Sequence, residues 1–137
     1  MLIDGFNEVK TVLKTKVDAI SFAFPGPADY QRGIIGNLPN FSAFNDHVPL
    51  GSILGHHFDL PTFINNDGDL FTFGEASEGY LPYINEQLER SGSTRRYKNL
   101  IGLTLGTGIG GGIVINGALL EGDNSCPAEI HNSLNAH

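Results

Sequence analysis

The sequence predicts a mixed α/β fold. Apolar runs of strand length alternate with amphipathic stretches of helix length, Gly, Pro and Asn punctuate the joints, and a glycine-rich run follows one of the strands. Phe6, Val9, Val12 and Leu13 recur at helical spacing and predict an amphipathic helix over about residues 4–15. The mostly apolar run Val17 to Phe24 reads as a buried strand, stopped by Pro25-Gly26-Pro27. A loop-rich stretch with Gly33, Gly36, Pro39 and Pro49 follows. Residues 48–58 read as a helix entered through Pro49 near its first turn. Pro61 to Asn65 reads as a short strand. Helices are expected from Asp67 to about Glu78 and over 80–90, the second ending at Ser91-Gly92-Ser93. Leu100 to Leu105 is a further strand. After the glycines, Ile113–Ile115 and Ala118–Leu120 flank Asn116-Gly117, the strongest short hairpin signal. No internal repeat or low-complexity linker interrupts the chain.

The bulk properties narrow the function classes. The 137 residues suffice for one domain with a real core, and 40% hydrophobic against 17% charged residues indicate a globular chain. Fifteen acidic against eight basic residues give a net charge of −7, which argues against a nucleic-acid-binding surface. The acidic balance does not exclude a phosphorylated ligand, because backbone amides can hold phosphate. Arg90, Arg95, Arg96 and Lys98 read as a solvated turn. The single cysteine, Cys126, cannot build an internal disulfide, so a reducing, cytoplasmic location is the default expectation. No apolar run is long enough to span a membrane, and the first residues lack the apolar core of a signal peptide.

The run Gly106-Thr107-Gly108-Ile109-Gly110-Gly111-Gly112 is the first candidate site. Gly106, Gly108 and Gly111 satisfy G-x-G-x-x-G, but a dinucleotide loop should open a helix, and here a β-branched run and a hairpin turn follow. A Walker A loop needs a lysine that is absent. The remaining functional reading is a strand–turn–strand hairpin whose amides hold the outer phosphates of ATP, with Thr107 as an added donor. A tight turn without a ligand is the competing structural reading.

Asn66-Asp67, directly after the strand over 61–65, is the second candidate site. Asp at a helix start is often only an N-cap. Functionally, a carboxylate there could accept the proton of a sugar hydroxyl while its oxygen attacks a phosphoryl group, with Asn66 bonding a neighbouring hydroxyl. Asp69, two residues on, would point elsewhere on a helix and ranks below Asp67.

In chain order these segments resemble the ROK family (repressors, open reading frames and kinases). Pro25-Gly26-Pro27-Ala28-Asp29 is similar to its P-G-P-x-D segment. Gly36-Asn37-Leu38-Pro39-Asn40-Phe41 is similar to P-N-L-P-x-W, with Gly for the first Pro and Phe for Trp. Asn65-Asn66-Asp67-Gly68 with Gly74-Glu75 resembles N-N-D-x with its trailing G-E. Leu103 to Gly112 resembles T-x-G-T-G-I-G-G-G, and Asn116-Gly117 and Glu121-Gly122 match the positions that follow.

The resemblance implies an actin-like ATPase (ribonuclease H-like) fold of two α/β lobes, here incomplete. Residues 1–66 would close the N-terminal lobe, and 67–137 would begin the second. It implies a glucokinase-like enzyme that uses ATP to phosphorylate a hexose hydroxyl, at O6. Asp67 would be the catalytic base, and Asn66, Glu129 and His131 would contact the sugar. Gly106, Thr107, Gly108, Gly110 and Gly111 would contact ATP phosphates bridged by Mg²⁺. The partners would be a small-molecule sugar and, for the full-length protein, further copies of itself. A sugar-sensing transcriptional regulator is the alternative; it would need a helix-turn-helix.

Three departures qualify the resemblance. Where the family has G-E-I-G-H, Glu129 aligns, but His131 takes the glycine position and Asn132 the histidine position, so an ordinary histidine is the leading reading of His131. Cys126 does not match the family's cysteine-rich zinc segment, and no metal site is expected in these residues. The family's opening D-x-G-G-T turn and closing helices have no counterpart here. The chain by itself is therefore expected to have little or no kinase activity, and a non-catalytic remnant with aggregation-prone sheet edges is a third reading.

Overall fold

Apolar side chains one helical turn apart, and glycines set against backbone, create two kinds of packing along this chain. The structure is a computed structural model that describes residues 1–36, 38, 42–106 and 109–122. The chain divides into two units, Met1–Phe22 with Gly26–Ile64 and Ala23–Pro25 with Asn65–His137.

In the first unit, α1 (Leu2–Val12) lays Phe6 against Phe22 and Phe58, with ring centroids 5.4 and 6.1 Å apart. Lys10 Nζ stands 5.8 Å from the Phe58 ring. The strands β1 (Ile20–Ala23) and β4 (Thr62–Asn65) pair in a two-stranded sheet, and Ile20 N donates to Pro61 O at 2.8 Å. A short hairpin, β2 (Ala28–Asp29) with β3 (Ile34–Ile35), leads to a 3-10 turn at Ser42–Phe44 and then to α2 (Leu50–Phe58). The stripe Leu50, Leu54, Phe58 turns one face of α2 inward, and these residues join Ile20, Tyr30, Ile35, Leu38 and Ile64 in an apolar core. Gly33, at φ +65°, lets the chain pass close to α2. A Cβ there would lie 2.9 Å from Gly51 Cα, and Gly51 N donates to Gly33 O at 2.9 Å.

In the second unit, α3 (Asp67–Ser77) and α4 (Tyr80–Arg90) precede an antiparallel sheet ordered β5 (Leu100–Leu105), β6 (Ile109–Ile115), β7 (Ala118–Leu119). Glu75 Oε2 accepts from Tyr80 N at 2.8 Å and so starts α4. Asn85 exchanges two 2.8 Å bonds with the backbone of Tyr97, holding α4 to the approach of β5. Asn116 and Gly117, at φ 53° and 81°, form the tight β6–β7 turn that Asn-Gly favours.

The structure corrects three expectations. The strand over 17–24 is only Ile20–Ala23, and its burial alternates: Ile20 is buried, whereas Ser21 and Ala23 are exposed. The first helix is shifted toward the start of the chain relative to residues 4–15. Gly110, Gly111 and Gly112 are strand residues of β6 rather than loop, because each pairs with β5, Thr104↔Gly110, Leu103↔Gly111 and Gly102↔Gly112. Among the described residues no helix is long and apolar enough to cross a membrane.

Candidate active site

A chain of side-chain acceptors fixes the turn between β4 and α3. Asn65 Oδ1 accepts from Asn66 N at 2.8 Å. Asn66 is the N-cap: its Oδ1 accepts from Gly68 N at 2.8 Å and Asp69 N at 3.3 Å, and its own backbone is extended. The capping role that Asp67 could have taken thus belongs to Asn66. Asp67 is the first residue of the helix, exposed, with Oδ1 3.0 Å from Gly68 N. Its carboxylate stands at the N-terminal end of α3. Asp69 is 3% exposed, so the two aspartates of this turn point to different surroundings.

This turn rests on the glycine hairpin. A Cβ on Gly68 would lie 2.7 Å from Gly111 N and 2.8 Å from Gly111 O, so backbone meets backbone where Asp67 enters the helix. Gly111 is two residues, about 7 Å, along β6 from Ile109, where the strand leaves its turn. At the turn itself Gly106 is exposed, and a Cβ there would meet nothing within 4 Å; a Cβ on Gly110 would meet only Thr104 Oγ1, at 2.8 Å. An open, side-chain-free backbone of this kind can receive an anion on its amides. Asp67, Asn66, Gly106, Gly110 and Gly111 therefore lie within one unit, the first two on the turn that abuts the strand of the last two. Thr107, Gly108, Glu129 and His131 lie outside the described residues.

Sequence reasoning missed Thr72 and Gly102, and it read Gly68 and Gly112 only as parts of longer motifs, not as packing contacts. Thr72 is fully buried between α3 and the hairpin. An isolated glycine inside a strand, as Gly102 is, signals a close backbone approach and could have pointed there. Among the described residues no three His, Cys, Asp or Glu side chains gather as a metal site.

Solved structures place this arrangement in the actin-like α/β fold of sugar kinases. A glucokinase from Parabacteroides distasonis superposes with a TM-score of 0.86 at 58% identity, over 92% of this chain and 36% of that one. A ROK family glucokinase from Streptomyces griseus, solved with glucose and AMPPNP, superposes with a TM-score of 0.58 at 25% identity, over 92% of this chain and 38% of that one. The chain belongs to the ROK family, whose model matches residues 1–137. Its relatives include a Thermotoga maritima glucokinase, 33% identical over 111 residues (81% of this chain, 31% of the relative). They also include the Escherichia coli transcriptional repressor Mlc, 25% identical over 115 residues (84% of this chain, 25% of the relative). The chain thus spans about a third or less of the length of these curated relatives.

Proposed function

We propose that this chain carries the phosphoryl-acceptor half of an ATP-dependent hexose kinase active site, with glucose or a close relative phosphorylated at O6. The observation that carries the reading is the Asn66–Asp67 turn seated on Gly111 of the glycine hairpin. Residues 1–66 then belong to the end of one lobe and 67–137 to the start of the next.

In this reading the sugar hydroxyl lies against the Asp67 carboxylate. Its oxygen attacks the γ-phosphorus of ATP, the new O–P bond forms as the β–γ bridge breaks, the proton passes to Asp67, and ADP leaves. General-base help of this kind is worth roughly 10²–10⁴ in rate. The exposed turn at Gly106, with Thr107 and the adjoining Gly110, holds phosphate oxygens while Gly111 seats the Asp67 turn, so most of the catalysis is positioning and charge stabilisation. Asn66 and Glu129 supply sugar contacts, and His131, at the position where the family has glycine, ranks below both. Mg²⁺ would come with the nucleotide, held by phosphates and water, and would offset the charge of a polyphosphate close to Asp67.

The test is an ADP-release assay with glucose, N-acetylglucosamine and N-acetylmannosamine. It is run on this chain and on a chimera in which these residues replace the matching third of the P. distasonis glucokinase. The chimera is expected to turn over, with NMR of the product locating phosphate on O6, and the chain alone to show little turnover. An inactive chimera that folds and binds sugar would contradict the kinase reading. The likeness to Mlc favours one second reading, a sugar-sensing regulator module. In that case the chimera binds sugar without phosphorylating it.

A further inference from the structure

Gly102 and Gly112 face each other across β5 and β6, and together they leave a notch in the sheet. Thr72 of α3 fills it. A Cβ on Gly102 would fall on Thr72 Oγ1 and lie 2.9 Å from Thr72 Cβ, and one on Gly112 would lie 2.8 Å from both Thr72 Cβ and Oγ1. Thr72 has no exposed surface, and its hydroxyl donates to Gly68 O at 2.9 Å, so the buried polar group is satisfied inside its own helix. The notch therefore reads the shape of Thr72. One helical turn earlier, Gly68 meets the backbone of Gly111. These two contacts, four residues apart on one face of α3, fix both the height and the register of the helix on the hairpin.

We propose that Thr72 is a positioning residue for phosphoryl transfer: seated in the Gly102–Gly112 notch, it sets how far the Asp67 turn stands from the glycine hairpin. The proposal rests on the kinase reading above. It follows from where rigidity is needed. Asp67 sits on a helix end and the phosphate-holding amides on a strand, so the distance between base and phosphate is the distance between those two elements. A misplacement of about 1 Å at a reacting group can cost about 10²-fold in rate.

The first arm of the test needs no catalysis. In the 137-residue chain, the NMR cross-peak between Gly68 Hα and the Gly111 amide reports the helix–hairpin separation. Thr72→Leu is expected to weaken it several-fold, whereas Thr72→Val, which keeps the shape and loses the hydroxyl, is expected to preserve it. Gly102→Ala should weaken it and Gly102→Ala with Thr72→Ala should recover it, because a smaller residue 72 makes room for the new methyl. Thr72→Ser, which removes only one methyl, serves if the larger changes prevent folding; a smaller weakening is expected. A cross-peak indifferent to every one of these changes overturns the proposal.

The second arm uses the chimera. At a temperature where every variant is folded, Thr72→Leu should lower kcat about 10²-fold with the glucose KM unchanged, and Thr72→Val should restore it. A cross-peak that responds while kcat does not would make Thr72 a packing residue only and leave the kinase reading standing. A wild-type chimera without turnover would remove the kinase reading, and the cross-peak series would still decide whether Thr72 sets the separation.

Discussion

The helices α2 and α3 meet their neighbours in opposite ways. α2 presents Leu50, Leu54 and Phe58 to an apolar core, so its position is set by side-chain volume. α3 presents Gly68 and Thr72 to a hairpin stripped to glycine at 102, 111 and 112, so its position is set by how closely backbones can approach. The first arrangement gains stability from buried area. The second gains closeness, which a site joining a carboxylate on one element to amides on another requires. Large-to-small changes should therefore hurt the first, and small-to-large changes the second.

Leu54→Ala is expected to show the largest effect. Leu54 is fully buried, and its truncation leaves a cavity, costing about 2–5 kcal/mol in denaturant unfolding. Gly112→Ala comes next, at about 1–3 kcal/mol, because its methyl has to displace Thr72 or the Asp69 backbone, whose Cα is 3.0 Å from that point. If Gly112→Ala were neutral in the same measurement, the contrast between the two helices would lose its basis. Asn66→Ala removes the α3 cap and should cost about 1 kcal/mol, and Asn66→Asp should recover most of it. Glu86→Gln tests the far side of α4. Its 2.6 Å pair with Arg90 is exposed on both sides, so the loss should not exceed about 0.5 kcal/mol and should shrink further in salt.

The sequence exposed the parts of this fold that obey local rules. The helical spacing of Phe6, Val9 and Val12, the Pro49 entry to α2, the apolar run of β5 and the Asn116-Gly117 turn could be read because period and turn chemistry are properties of neighbouring residues. The two-residue ladder of β2 with β3 offered no period to read. The turn before α3 was legible as a helix start, but Asn66 and Asp67 are both good caps, and only the backbone decides that Asn66 caps the helix, accepting from Gly68 N and Asp69 N, while Asp67 Oδ1 accepts from Gly68 N inside the first turn. That decision matters, since it leaves Asp67 to face outward. Thr72 stayed invisible because its role depends on Gly102 and Gly112 being opposite each other. That register is non-local and is fixed by the β5–β6 pairing.

Phosphoryl transfer in the proposed function depends on the carboxylate of Asp67 acting as the base. The decisive comparison is kcat and glucose KM for the chimera with Asp67 and with Asp67→Asn, which keeps the size of the side chain and removes its basicity. With Asp67→Asn, kcat is expected to fall by roughly 10²–10⁴ while KM stays within a few-fold. An unchanged kcat would contradict that role and leave the turn at Asn66–Asp67 as helix-capping structure alone.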